Sequence, residues 1–366
     1  MITKKANLLN VLKNIYISRE EPISLVHFLT NRCNARCSFC FIDFDDENTF
    51  KGELSLDEID KLTRKLGNSL LNVNFTGGEP FARKEIIDIA KKYIDNTTIQ
   101  SIYITTNGSL PDRVEKFAKE ITEYDKEIEL TFQISIDDLP EAHNKVRKIN
   151  NLYEQCIETY EKIKKIKNCN AVVSITVTHE NCDNIENIFN HLYVESKINK
   201  IKCTIVRDEG VYKTPMDKKK KILDAFTFLT NKIEKISKEG NITNYNTNTL
   251  QGRLHRKKDF ISWDMIRETY LNPKYISLCH AGGLFGIIKA NGDVYPCEIL
   301  EDKKLGNVRD NQYNFIELWK STSNKKIKKF IKETKCNCSY ECALSYNILG
   351  NYRYQSSLLK SAFNLD

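Results

Sequence analysis

Six short apolar segments bounded by turn signals recur along the chain. They lie at 25–31, 71–76, 101–106, 130–136, 171–178 and 201–207, and each reads as a buried or half-buried strand. The stretches between them space their apolar residues as helices do. Ser55 and Glu58 form a capping box that opens one helix with Ile59, Leu62 and Leu66 on its apolar face. Further helices are predicted over 84–94, 112–121, 151–166 and 184–194. Strand–helix alternation repeated this often argues for a parallel sheet with helices outside. Six such units make an α/β fold of open type, a partial (β/α)6 barrel. Beyond Arg207 the pattern changes to a lysine-rich helix over 218–237 and a polar, turn-rich stretch over 240–253 that reads as a loop. The expected organisation is an N-terminal segment (1–22), the barrel (23–240), a linker with connecting helices (241–274) and a small cysteine-rich domain (275–366).

Composition narrows the class. With 366 residues, 40% hydrophobic and 29% charged, the chain is an ordinary globular protein with room for one or two domains. No apolar run approaches a membrane span and no secretion signal opens the chain, so a cytoplasmic protein is expected. A net charge of +7 is spread along the chain apart from lysines 218–221, which read as a solvated helix start rather than a nucleic-acid patch. In a reducing compartment the 12 cysteines more naturally bind metal than form disulfides. Six of them cluster: Cys33, Cys37 and Cys40, then Cys336, Cys338 and Cys342. Cys156, Cys169, Cys182 and Cys203 stand singly and read as small packed residues.

The first cluster, C-x3-C-x2-C, sits directly after the first strand. Three thiolates on one loop fill three iron sites of a cubane and leave the fourth iron open to a chelating ligand. A zinc site would want a fourth ligand, and nearby His27 reads as a packed strand residue. These cysteines, with Phe39 before the third, resemble the signature of the radical S-adenosylmethionine (AdoMet) superfamily. Three more segments agree, each at a strand end: Gly77-Gly78-Glu79-Pro80, Thr106-Asn107-Gly108, and Ser135-Ile136-Asp137 followed by His143 and Arg147. The resemblance covers roughly residues 22 to 210. It implies a 4Fe–4S cluster on Cys33, Cys37 and Cys40. It also implies an AdoMet site involving Phe39, Gly77, Gly78, Glu79, Pro80, Asn107, Ser135, Asp137 and Arg147, with Glu79 suited to accept a cation. Asp138 departs from the glycine common at its position.

A second cysteine region follows. Cys279 and Cys297 flank Asn291-Gly292, a hairpin signal between apolar stretches at 284–288 and 294–295. With Cys336, Cys338 and Cys342 this resembles the SPASM/twitch extension, which binds auxiliary 4Fe–4S clusters. The full pattern carries more than these five cysteines. One auxiliary cluster on Cys279, Cys297 and two of the last three is the simpler count, and the spacing does not select the two. Four of these cysteines around zinc is the plain alternative. Glu298, adjacent to Cys297, corresponds to the place of an acidic general base in sulfatase-maturating relatives.

The resemblance implies reductive cleavage of AdoMet and hydrogen abstraction from a substrate C–H bond. The electron would come from a reduced flavodoxin- or ferredoxin-type donor. A peptide or protein substrate is expected, with a small molecule such as a sugar or cyclitol as the alternative. With so short a stretch before the first strand, the leader-recognition domain of many peptide maturases is not expected within this chain, though it can be a separate protein. A reading of a different class, a non-catalytic metal-binding scaffold, would not need the intact first motif and Gly77-Gly78-Glu79-Pro80.

Overall fold

A computed structural model describes residues 6–240, 245 and 247–363. Six parallel strands form one sheet: β1 Ser24–Thr30, β2 Asn72–Gly77, β3 Ser101–Thr106, β4 Glu129–Ser135, β5 Cys169–Val177 and β6 Ile201–Ile205. Helices α2 (Leu56–Thr63), α3 (Ile86–Asn96), α4 (Pro111–Tyr124), α6 (Leu152–Ile163) and α7 (Ile185–Asn190) cover its outer face. They are preceded in the chain by a short N-terminal helix α1 (Leu8–Lys13). A short helix α5 (Pro140–Arg147) sits between β4 and α6. The strands have two different faces because side chains alternate. Val73, Phe75, Ile102, Ile104, Leu130 and Phe132 are fully buried towards the helices. The opposite face carries Asn74, Thr105, Gln133, Ser174 and Thr204, which keep some exposure and line a polar interior. The capping box at Ser55 and Glu58 forms as the sequence implies.

The C-terminal region is joined to the barrel through one continuous sheet. Strands β7 Phe285–Ile288, β8 Asp293–Tyr295 and β9 Gly306–Asn307 extend the barrel sheet, giving the order β6-β5-β4-β3-β2-β1-β7-β8-β9. β7 runs parallel to β1 with Ser24 opposite Phe285 and His27 opposite Ile288. The 284–295 hairpin turns at Gly292, whose φ of +85° a side-chain-bearing residue rarely adopts. The lysine-rich helix is α8, Lys219–Lys238. The predicted loop over 240–253 lies partly outside the described residues (241–244 and 246), and its last part is helical, since α9 spans Leu250–Thr269. Thr249 caps α9 by accepting from the Gly252 N–H. Helices α10 (Phe315–Lys320), α11 (Thr322–Glu333), α12 (Glu341–Gly350) and α13 (Gln355–Ala362) complete the chain. α9 and α12 reach the polar interior: Lys202 pairs with Asp259 at 2.8 Å and Thr204 donates to Glu341 at 2.6 Å. No helix among the described residues is long and apolar enough to cross a membrane.

Candidate active site

The loop that leaves β1 carries Cys33, Cys37 and Cys40, all half-buried. It is held against the end of β2 by backbone bonds: Gly78 N–H donates to Thr30 O at 2.7 Å and Glu79 N–H to Arg32 O at 2.9 Å. A Cβ on Gly77 would lie 2.1 Å from Thr30 O, and one on Gly78 2.2 Å from Arg32 O. The double glycine is therefore what lets the two segments meet. Burial raises all three thiols, Cys33 to about 11, and for Cys33 the neighbouring Cys37 and Cys40 add to the rise. Three thiols on one loop suit three irons of a cubane, with proton release when iron binds. His27 supplies no fourth ligand: it is buried in the core with Nδ1 2.8 Å from the Tyr93 hydroxyl.

Glu79, expected to accept a cation, is also held by donors of the protein itself. It is 1% exposed, and Oε1 accepts from Phe81 N–H (3.0 Å) and the Thr106 hydroxyl (2.8 Å). Oε2 accepts from Asn107 N–H at 2.7 Å. The carboxylate thus ties the end of β2 to the end of β3, and the positive backbone N–H dipoles around it already satisfy it. Asn107 continues the brace, donating from Nδ2 to Asn34 Oδ1 at 2.9 Å. Pro80 opens a single 3-10 turn after Glu79. At the end of β4, Asp137 receives Arg147 from α5 and also accepts from Thr176 N–H at 2.9 Å. The Arg147 guanidinium lies 5.7 Å over the ring of Phe39, so α5 is tied to the cysteine loop. The Arg36 N–H adds a backbone bond to Arg147 O at 3.1 Å. Ser135 ends β4 half-buried on its polar face.

In the C-terminal region Cys279, Cys297, Cys336 and Cys338 line one cavity with apolar neighbours that include Met265, Ile299 and Leu344. Burial raises these thiols too, Cys338 to about 12. Cys342 stands apart from them. Its thiol donates to Glu298 Oε2 at 3.3 Å and accepts from Arg207 Nη2 at 3.7 Å. The structure thus separates a set of four from the remaining cysteine, a choice that spacing left open. Among the described residues no three His, Cys, Asp or Glu side chains converge on a single ion position. Four thiols around one apolar cavity suit a multi-iron cluster.

Two charged residues at this site were not singled out from the sequence. Arg207, just beyond β6, binds Glu298 through Nη1. Glu209 is 3% exposed, neither of its oxygens has a hydrogen-bond partner, and Arg207 Nη1 is 3.9 Å away. Burial and the nearby Glu298 charge push its carboxyl up to about 7. The signal available was the run Arg207-Asp208-Glu209-Gly210 at a strand's C-terminal end, where ligand sites of parallel sheets gather.

Residues 28–192 match the model of the radical SAM superfamily, and residues 279–343 match the SPASM iron–sulfur cluster-binding domain. The chain thus carries a radical SAM domain, in residues 28–192, and a SPASM domain, in residues 279–343. These domains imply a 4Fe–4S cluster, AdoMet and auxiliary iron–sulfur binding, and with them an enzyme. Similar curated proteins include the GTP 3′,8-cyclases of Cronobacter sakazakii (31% identical over 171 residues, 43% of this chain and 49% of that protein) and Clostridium perfringens strain 13 (33% over 148 residues, 37% and 43%). The chain spans about half the length of the curated relatives it matches. Among solved structures, AdoMet-bound anSMEcpe aligns with a TM-score of 0.60 at 20% identity, covering 94% of this chain and 97% of that one. Streptococcus suis SuiB bound to AdoMet aligns with a TM-score of 0.56 at 17% identity, covering 88% and 71%. Both likenesses concern the fold.

Proposed function

We propose that the chain is a radical SAM enzyme with one auxiliary 4Fe–4S centre that oxidises or joins positions in a peptide or protein substrate. The observation that carries this reading is the division of its clustered cysteines into a loop set of three and a cavity set of four. In this reading Cys33, Cys37 and Cys40 hold the first cluster and leave one iron for AdoMet. When bound, cluster and AdoMet supply a 5′-deoxyadenosyl radical that takes a hydrogen atom from a substrate C–H bond. The chain's own part is placement. Gly77 and Gly78 let backbone approach the ligand, Asn107, Ser135 and the Asp137–Arg147 pair frame it, and Phe39 seats Arg147. The auxiliary centre on Cys279, Cys297, Cys336 and Cys338 would accept an electron when the outcome is a net oxidation. Glu298 is the candidate general base. A peptide substrate is favoured by the alignment with SuiB, solved bound to its precursor peptide SuiA, and with anSMEcpe, solved with bound peptides. A reduced flavodoxin- or ferredoxin-type protein would supply the electron.

A second reading, a small-molecule substrate, is favoured by the identity to GTP 3′,8-cyclases. Anaerobic reconstitution with iron and sulfide, followed by AdoMet and dithionite, tests the enzyme reading. The wild type should release 5′-deoxyadenosine and a Cys33/Cys37/Cys40→Ala variant should not. No 5′-deoxyadenosine from a fully loaded wild type would sink it. Acceleration of that release by candidate peptides, or by GTP, separates the two substrate readings.

A further inference from the structure

The guanidinium of Arg207 leaves the barrel just beyond β6 and reaches residues that flank the cavity thiols. Nη1 donates to Glu298, the residue after Cys297, and the guanidinium lies 4.8 Å over the ring of Tyr340, two residues after Cys338. Nη2 donates to Cys342 at 3.7 Å, and Arg207 and Cys338 line the same cleft. One cation is thus bracketed by the chain neighbours of two of the four thiols. Its counter-charges are Glu298, Glu341 and, at 3.9 Å, Glu209. Nothing in the sheet requires an arginine here: β6 ends at Ile205, and the Arg207 side chain keeps 28% exposure.

An iron–sulfur cluster gains negative charge when reduced. A nearby cation stabilises that state and raises the reduction potential, while a nearby carboxylate lowers it. We propose that Arg207 is a positioning residue that sets the reduction potential of the iron–sulfur centre on Cys279, Cys297, Cys336 and Cys338, with Glu298 as its counter-charge. The inference rests on the auxiliary-centre reading above. It makes Arg207 the electrostatic link through which the barrel acts on the C-terminal centre.

The test uses the full chain in a Cys33/Cys37/Cys40→Ala background, so that one centre gives the paramagnetic signal. Reconstituted protein is titrated with dithionite against redox mediators and followed by electron paramagnetic resonance, with iron counted per chain. R207Q is expected to lower the midpoint potential, R207K to shift it less, and E298Q to raise it. Opposite signs from the two neutralising substitutions are what a merely structural role would not give. Unchanged potentials at wild-type iron content, or shifts of the same sign, would overturn the inference. Should R207Q fail to hold iron, the direction of the E298Q shift alone decides. A background protein that binds no iron would instead overturn the auxiliary-centre reading and this inference with it.

Discussion

Arg147 grips a single oxygen of Asp137 with two donors, Nε at 2.9 Å and Nη2 at 2.6 Å, and both residues are more than nine-tenths buried. A buried pair of this kind is costly to break because the remaining charge is left without a partner. R147A is expected to cost about 3–5 kcal/mol of stability, and R147K to recover only part of it, because lysine cannot present the fork. Chemical unfolding of the iron-free proteins measures both. Loss within 1 kcal/mol for R147A, about the value of an exposed pair, would contradict this.

At Gly78 the expected failure is local. G78A places a Cβ 2.2 Å from the Arg32 carbonyl, which the backbone can relieve only by moving the cysteine loop. The variant should fold, as judged by circular dichroism, yet retain roughly half the wild-type iron, because one of two four-iron centres loses its loop. Full iron content and unchanged AdoMet cleavage would show that the loop tolerates the shift.

The partition of the C-terminal cysteines gives a count. C338A or C297A should lose about four irons per chain after reconstitution. C342A should keep them, since Cys342 faces Arg207 and Glu298 rather than the cavity. Iron and sulfide analysis decides, and a C342A protein short of four irons would return Cys342 to the ligand set.

Glu209 predicts a pH dependence. Its carboxyl is raised from an ordinary 4.5 to about 7, chiefly by burial, so the folded protein holds a proton that the unfolded chain has already released across that window. Stability therefore falls as pH rises from about 4.5 to 7, and the penalty is complete above it. E209Q removes the charge and should be more stable than wild type at pH 8 by on the order of 1–3 kcal/mol. The gap should narrow towards pH 5. Melting curves at the two pH values test the sign, and a variant less stable than wild type at pH 8 would refute it.

The barrel was legible because its signals are local. Period-two segments such as 130–136 and the Ser55–Glu58 box dictate their own conformations, and the three strand-end motifs announce where a ligand gathers. Helix α5 was missed as an element since only His143 and Arg147, not an apolar stripe, mark it. The role of Glu79 was not legible because its partners, Thr106 and Asn107, come from the next strand. The leftover cysteine could not be chosen by spacing: Cys342 is set apart by Arg207, a residue 135 positions away. The same distance hid Arg207 and Glu209, ordinary charges until the C-terminal region folds over them.

The parallel pairing of β7 with β1 makes the interval between the two iron sites a matter of carpentry. The chain leaves β1 into Cys33 and enters β7 from Cys279, so adjoining planks of one panel carry both fixtures. The sheet itself therefore anchors the first cysteine of each region, whatever loops carry the others. The panel also cannot be sawn in two: shortening the chain before β7 would leave β1 paired with β2 alone and turn its other side into a bare, apolar edge ready to pair with another molecule.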